Sequence, residues 1–185
     1  MSVSLNALNN SALMKSGGTM TGNLAGNGSN TISGFSKIYN AVWNDYAEFF
    51  ERGEAGTSAG DIIALDVNSG EERYIRASKE NSVVVGVQSN EFAVLIGGEK
   101  PVNGEDYFKH NIGKFIPVGL AGRVRTKVSG IVRKGDYITV SDIPGVGVAV
   151  NLVNVGMSEF PIVGIALEDK NSGGVDLVRV LLRRM

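Results

Sequence analysis

The stretch from Asp61 to Leu182 restricts the fold more than any other. It is a train of short apolar runs, each broken by glycine or by clusters of Asn, Asp and Ser. Runs this brief, either alternating or continuously β-branched, fit strands; an amphipathic helix needs about ten or more residues of 3.6 periodicity. The predicted strands are Asp61–Asp66, Arg73–Ala77, Ser82–Val87, Phe92–Ile96, Phe115–Leu120, Gly122–Val128, Tyr137–Val140, Gly147–Val150, Ile162–Leu167 and Leu177–Leu182. Arg73–Ala77 reads as the hairpin partner of Asp61–Asp66. Gly122–Val128 alternates cleanly, with Val124, Thr126 and Val128 on one face and Arg123, Arg125 and Lys127 on the other. Many short strands joined by tight turns predict a mainly β fold, a compact β-barrel or β-sandwich-like head, over a parallel α/β sheet. The longest break, Glu99 to Lys114, reads as a polar loop and carries His110.

Residues 1–42 have a different character. They are rich in Gly, Asn, Ser and Thr, their apolar residues are thinly spread, and Lys15 and Lys37 are their only charges. Such a segment buries too little apolar surface to offset its own ordering entropy as a monomer. It is either a flexible linker or a stem ordered by winding against copies of itself, with Met20, Leu24, Ile32 and Phe35 between chains. The division expected is therefore a glycine-rich stem over 1–42 and a β-rich head over 43–185. At the junction lies Trp43-Asn44-Asp45-Tyr46-Ala47-Glu48-Phe49-Phe50-Glu51, where aromatics and carboxylates interleave. On a helix Trp43, Tyr46 and Phe50 would share one face and Asp45 and Glu48 another. The plain reading is an amphipathic connector with solvated acids.

Composition narrows the function classes. The net charge of −1 provides no pull on nucleic acid or an anionic membrane. There is no cysteine and one histidine, His110, so neither disulfides nor a thiolate or multi-histidine metal site is expected within one chain. No apolar run reaches the roughly 18 residues of a membrane span, and Met1-Ser2-Val3-Ser4 lacks the basic start of a secretory leader. Gly113-Lys114 lacks the upstream glycine of a phosphate-binding loop, and no G-x-S-x-G is present. No cofactor and no metal is expected. The basic group Arg123, Arg125, Lys127, Arg133 and Lys134 either holds an anion or, as a strand face usually does, pairs with acids and solvent.

Two resemblances add to this reading. Ser16-Gly17-Gly18-Thr19-Met20-Thr21-Gly22-Asn23-Leu24 resembles the "GGTMTGNL" element of bacteriophage tail-fibre and appendage proteins, where it belongs to trimeric shafts. Asn44-Asp45-Tyr46-Ala47-Glu48-Phe49-Phe50-Glu51 resembles the "ADYAEYFE" signature of the phage intramolecular-chaperone autoprotease family, typified by the podovirus preneck appendage C-terminal domain. Val118–Val124, Lys127–Ile138 and Val163–Asp169 resemble, in the same order, its "VG…GRV…KV.G.V..GD.I" and "VGRALED" runs.

The resemblance implies a homotrimeric β-rich head that drives assembly of the upstream fibre, in a virion protein made in the bacterial host cytoplasm. Its implied partners are its own copies and other virion tail proteins; a bacterial cell-surface glycan, recognised by a loop such as Glu99–Lys114, is a separate expectation. In some members the domain then cuts itself away, by a single cleavage just before the signature Asp, assisted by the Glu three residues on. On this chain the bond is Asn44-Asp45, and the catalytic residues are Asn44, Asp45 and Glu48. Some members carry Ser before the cut, whose hydroxyl takes the acyl group. Asn44 has none and would instead attack its own carbonyl through the side-chain amide, with a neutralised Glu48 as proton donor. Otherwise Asp45 and Glu48 only pair with basic residues such as Arg123 or Lys127. Three readings follow: a structural fibre or appendage protein, a one-time autoprotease, and a glycan-binding module.

Overall fold

The computed structural model describes residues 45–100, 106–150 and 161–182. The stem, Trp43 and Asn44 lie outside the described residues. Ten strands are present among the described ones, and their organising member is β6 (Phe115–Ser129), 15 residues long. It fuses two runs that read as separate strands in the sequence. Gly122 stands at the join with φ +104, a conformation glycine holds without strain. Here the pairing of β6 changes hands: β1 (Asp45–Glu51) lies antiparallel along 115–122, and β10 (Val175–Leu182) antiparallel along 122–129.

The C-terminal half of β6 closes a five-stranded barrel. β8 (Gly147–Val150) pairs with it in parallel. β7 (Tyr137–Val140) joins β8 to β9 (Ile162–Ala166), and β9 returns through β10 to β6. Closure leaves these five strands no open edge, which removes the main aggregation liability of a small sheet. The inward residues are Val124, Val128, Ile138, Val140, Val163, Val178 and Val180. Each such side chain contributes about 1.5–3 kcal/mol when fully buried. The alternation expected at Gly122–Val128 is present: Val124, Thr126 and Val128 are buried, whereas Arg123 and Arg125 are exposed.

The N-terminal half of β6 carries the rest. β4 (Val84–Gln88) pairs with it at Val118 and Gly119, β2 (Ile62–Leu65) pairs with β4, and β3 (Tyr74–Arg76) forms the expected hairpin with β2. β5 (Val94–Gly97) adds to β1 in parallel. Ile63, Tyr74, Ile116 and Val118 make a second small core here.

Two sequence expectations change. The connector is strand β1, not a helix. DYAEFFE suits period 2 as well as 3.6, and seven residues of pairing along β6 decide the matter. The Glu99–Lys114 stretch is not wholly loop: α1 (Tyr107–Asn111) lies in it, capped by Asp106, whose side chain accepts from the Lys109 N–H at 2.9 Å. One turn is too short to register as periodicity. Asn111 then ties the stretch to Glu99, donating to its carbonyl at 2.9 Å and accepting from its N–H at 2.7 Å.

Barrel closure depends on close approach of β9 to β10. A Cβ at Gly164 would lie 2.2 Å from the Leu181 carbonyl oxygen and 2.6 Å from Val180 Cγ1. Gly164→Ala is therefore expected to cost about 1–3 kcal/mol by overpacking. Gly173, with nothing within 4 Å, should accept alanine without loss. Urea denaturation of the two variants beside the parent checks this.

Candidate functional site

β1 enters the fold at Asp45, and strand geometry sets what its side chains can do. Successive residues face opposite sides, so Asp45, Ala47 and Phe49 are buried on one face, with Tyr46 and Glu48 on the other. The register slips between Tyr46 and Ala47, but the slack is taken up by Leu120 of β6, so the alternation of β1 persists. Asp45 and Glu48 therefore do not share a face, as they would on a helix. Their Cα atoms are about 10 Å apart at the usual strand rise. Within one chain the structure does not bring these two carboxylates together.

Asp45 is 3% exposed, and neither oxygen of its carboxylate has a hydrogen-bond partner. It packs flat on β6: a Cβ at Gly119 would lie 3.2 Å from Asp45 Oδ2. Glycine at that position keeps room for the acid between β1 and β4. Burial pushes the carboxyl above its ordinary value of 3.8. The nearby Ser89 hydroxyl and the N–H groups of Asp45 and Ala93 act in the opposite sense, without reaching full hydrogen-bond geometry. Glu91 adds a like charge and raises the carboxyl further.

Glu48 is half-buried and has no ion pair among the described residues. Lys127, one partner expected for it, is engaged elsewhere: its Nζ lies 2.6 Å from Asp61 Oδ1 and donates to Ser58 Oγ at 2.7 Å. Arg123 is exposed. The Tyr74 hydroxyl is pushed up to about 12 by burial and by Glu72, with Glu48 adding a smaller push.

The basic group does not gather into an anion site. Arg133 donates to Asn171 Oδ1 at 2.6 Å, and the Lys127 ammonium is spent on Asp61. His110 lies in the last turn of α1, half-buried.

Beside Asp45 opens a cleft of about 230 Å³, walled by Gln88, Ser89, Glu91, Arg123 and Leu177 among others. The family resemblance singles out Asp45 in the sequence, but nothing there points to Gln88, Ser89 or Glu91. They lie some forty residues downstream with no motif of their own, and only the joint pairing of β1 and β4 with β6 brings them to Asp45.

No family model matches this chain, and no curated protein is detectably similar to it in sequence. Solved structures are similar. The crystal structure of the pre-mature bacteriophage phi29 gene product 12 superposes with a TM-score of 0.60 at 15% identity, over 84% of this chain and 24% of that one. The crystal structure of the C-terminal fragment of the same phage protein superposes with a TM-score of 0.53 at 16% identity, over 75% of this chain and 100% of the fragment. This chain spans about a quarter of the length of the pre-mature protein. At these identities the likeness is one of fold, and it is the fold expected from the resemblance of Asn44–Glu51 and the three later runs.

A carboxyl raised in the folded state binds its proton more tightly there than in the unfolded chain. Stability is thus fullest below the unfolded value of 3.8 and falls as pH rises through the folded value. Asp45→Asn removes that loss. In buffer free of divalent cations the variant should melt above the parent near neutral pH, and the gap should shrink in acid. The difference between the two curves is the readout, because Glu54 and Glu168, held low against burial by Arg76 and Arg179, move both curves the other way. A gap independent of pH would refute the assignment.

Proposed function

We propose that this chain is a structural component of a phage tail fibre or appendage, and that residues 43–185 drive its assembly into a homotrimer with other virion tail proteins as neighbours. The observation that carries the proposal is the full coverage of the phi29 gene product 12 C-terminal fragment by this fold. A surface feature supports it. Tyr46 of β1 and Val94 of β5 are register partners, Glu48 and Ile96 follow two residues on, and Tyr46, Val94 and Ile96 are 40%, 47% and 41% exposed. An apolar strip on the outermost strand pair suits burial against another copy. The full-length chain should sediment at equilibrium as a trimer at micromolar concentration. Val94→Lys with Ile96→Lys should reduce it to a folded monomer, since neither side chain serves the protomer's core. A wild-type monomer defeats the proposal.

The second reading is a single self-cleavage at Asn44-Asp45. It is favoured by the unpartnered, buried carboxyl of Asp45 beside the bond to be cut, which burial raises above its ordinary value. The two similar structures fit it as well, one being of a pre-mature protein and the other of a C-terminal fragment. Because Glu48 faces away from Asp45 on β1, the Glu48 that assists belongs to a neighbouring chain of the trimer. Mass spectrometry of freshly purified protein should then show a fragment beginning at Asp45. Glu48→Gln should assemble uncut, and co-expression with Asp45→Asn should restore cutting of the Glu48→Gln chain alone. Wild type that stays full length for days in the trimeric state ends this reading.

A further inference from the structure

A cyclic trimer joins unlike surfaces: the patch that one chain offers meets a different patch on the next. The strip of Tyr46, Val94 and Ile96 is one half of such a contact, and it holds an acid. Glu48, the register partner of Ile96, is half-buried and has no ion pair among the described residues. Three copies of the strip converging on the axis would bring three such carboxylates together, and like charges set against each other are costly. The strip therefore calls for a facing surface that is apolar and carries an unpaired cation.

The outer face of β6 and β10 meets both conditions. Arg123, Arg125 and Lys127 alternate with the buried residues of β6, and their register partners on β10 are Leu181, Arg179 and Leu177. Most of these bases are engaged. Lys127 Nζ lies 2.6 Å from Asp61 Oδ1 and Arg179 Nε 2.8 Å from Glu168 Oε2, and Arg125 acts on Glu168 as well. Arg123 is exposed and has neither a hydrogen bond nor an ion pair among the described residues. Val175 and Leu177 of the same face are 46% and 45% exposed, an apolar display like that of the strip. The two unpaired charges are far apart within one chain. Glu48 is the register partner of Val118, five residues before Arg123, which is about 15 Å along β6 at the usual strand rise.

We infer that the Tyr46, Val94 and Ile96 strip of one chain docks on the Val175 and Leu177 face of the next, with Glu48 of the first chain paired to Arg123 of the second. The inference rests on the trimer reading above and names the two surfaces that build it. Arg123 follows Gly122, the register partner of Asp45. The same contact therefore carries Glu48 of one chain towards the Asp45 end of β1 in the next.

Charge reversal in the full-length chain tests the pairing, read by sedimentation over a dilution series. Glu48→Arg and Arg123→Glu are each expected to raise the concentration at which the trimer dissociates by roughly tenfold or more, because each sets like charges against each other at every interface. The chain carrying both changes restores opposite charges and should return to within about threefold of wild type. Leu177→Lys, on an exposed side chain, tests the apolar half without touching Glu48 and should dissociate the trimer as Val94→Lys with Ile96→Lys does. A wild-type trimer unmoved by Arg123→Glu and by Leu177→Lys overturns the docking and leaves the trimer standing. A double reversal no tighter than either single change does the same. A wild-type monomer overturns both.

Discussion

The hydrogen-bonding capacity of β6 is the constraint on which the whole head depends. A strand of 15 residues has two edges to satisfy along its length. β1 and β4 take its first half, β10 and β8 its second. The barrel and the N-terminal sheet are thus not two modules joined by a linker. They share one backbone, and a change that shifts the register of β6 flips side chains in both. Gly122, where one set of partners gives way to the next, and Gly119, packed under Asp45, are the positions where that sharing needs the absence of a side chain.

Burial of charge elsewhere in the head shows why Asp45 stands apart. Lys170 is 7% exposed, yet its ammonium donates to the carbonyls of Gly130, Ser172 and Gly174 at 2.6–2.7 Å. Asp61, equally enclosed, accepts from Lys127 and from the Ser58 N–H. Those two groups close loops onto the barrel and are fully served by it. Asp45 is enclosed to the same degree, yet neither oxygen of its carboxylate has a hydrogen-bond partner. A fold that elsewhere satisfies its buried charges leaves this one open, beside a cleft and at the first residue of β1.

Much of the head is legible in its sequence. Nine of its strands follow from short β-branched or alternating runs ended by glycine, because period 2 and turn residues are local properties. The β2–β3 hairpin and the outward basic row of β6 follow likewise. Asp45 and Glu48 stand out in the sequence only through the family resemblance; local chemistry alone reads them as solvated acids. What local pattern left undecided was settled by long-range pairing. DYAEFFE fits a helix and a strand equally, and only the edge of β6 makes it a strand. That one choice sets Asp45 and Glu48 on opposite faces. The break at Ala121-Gly122 hid the continuity of β6, since a glycine that ends a strand and one that bends it look alike in sequence. Ring closure through β10, and the meeting of Asp45 with Gln88, Ser89 and Glu91, exist only once strands distant in the chain share a neighbour. Sequence determines where a chain is able to form strands; tertiary pairing decides which edges meet, and with them which side chains face one another.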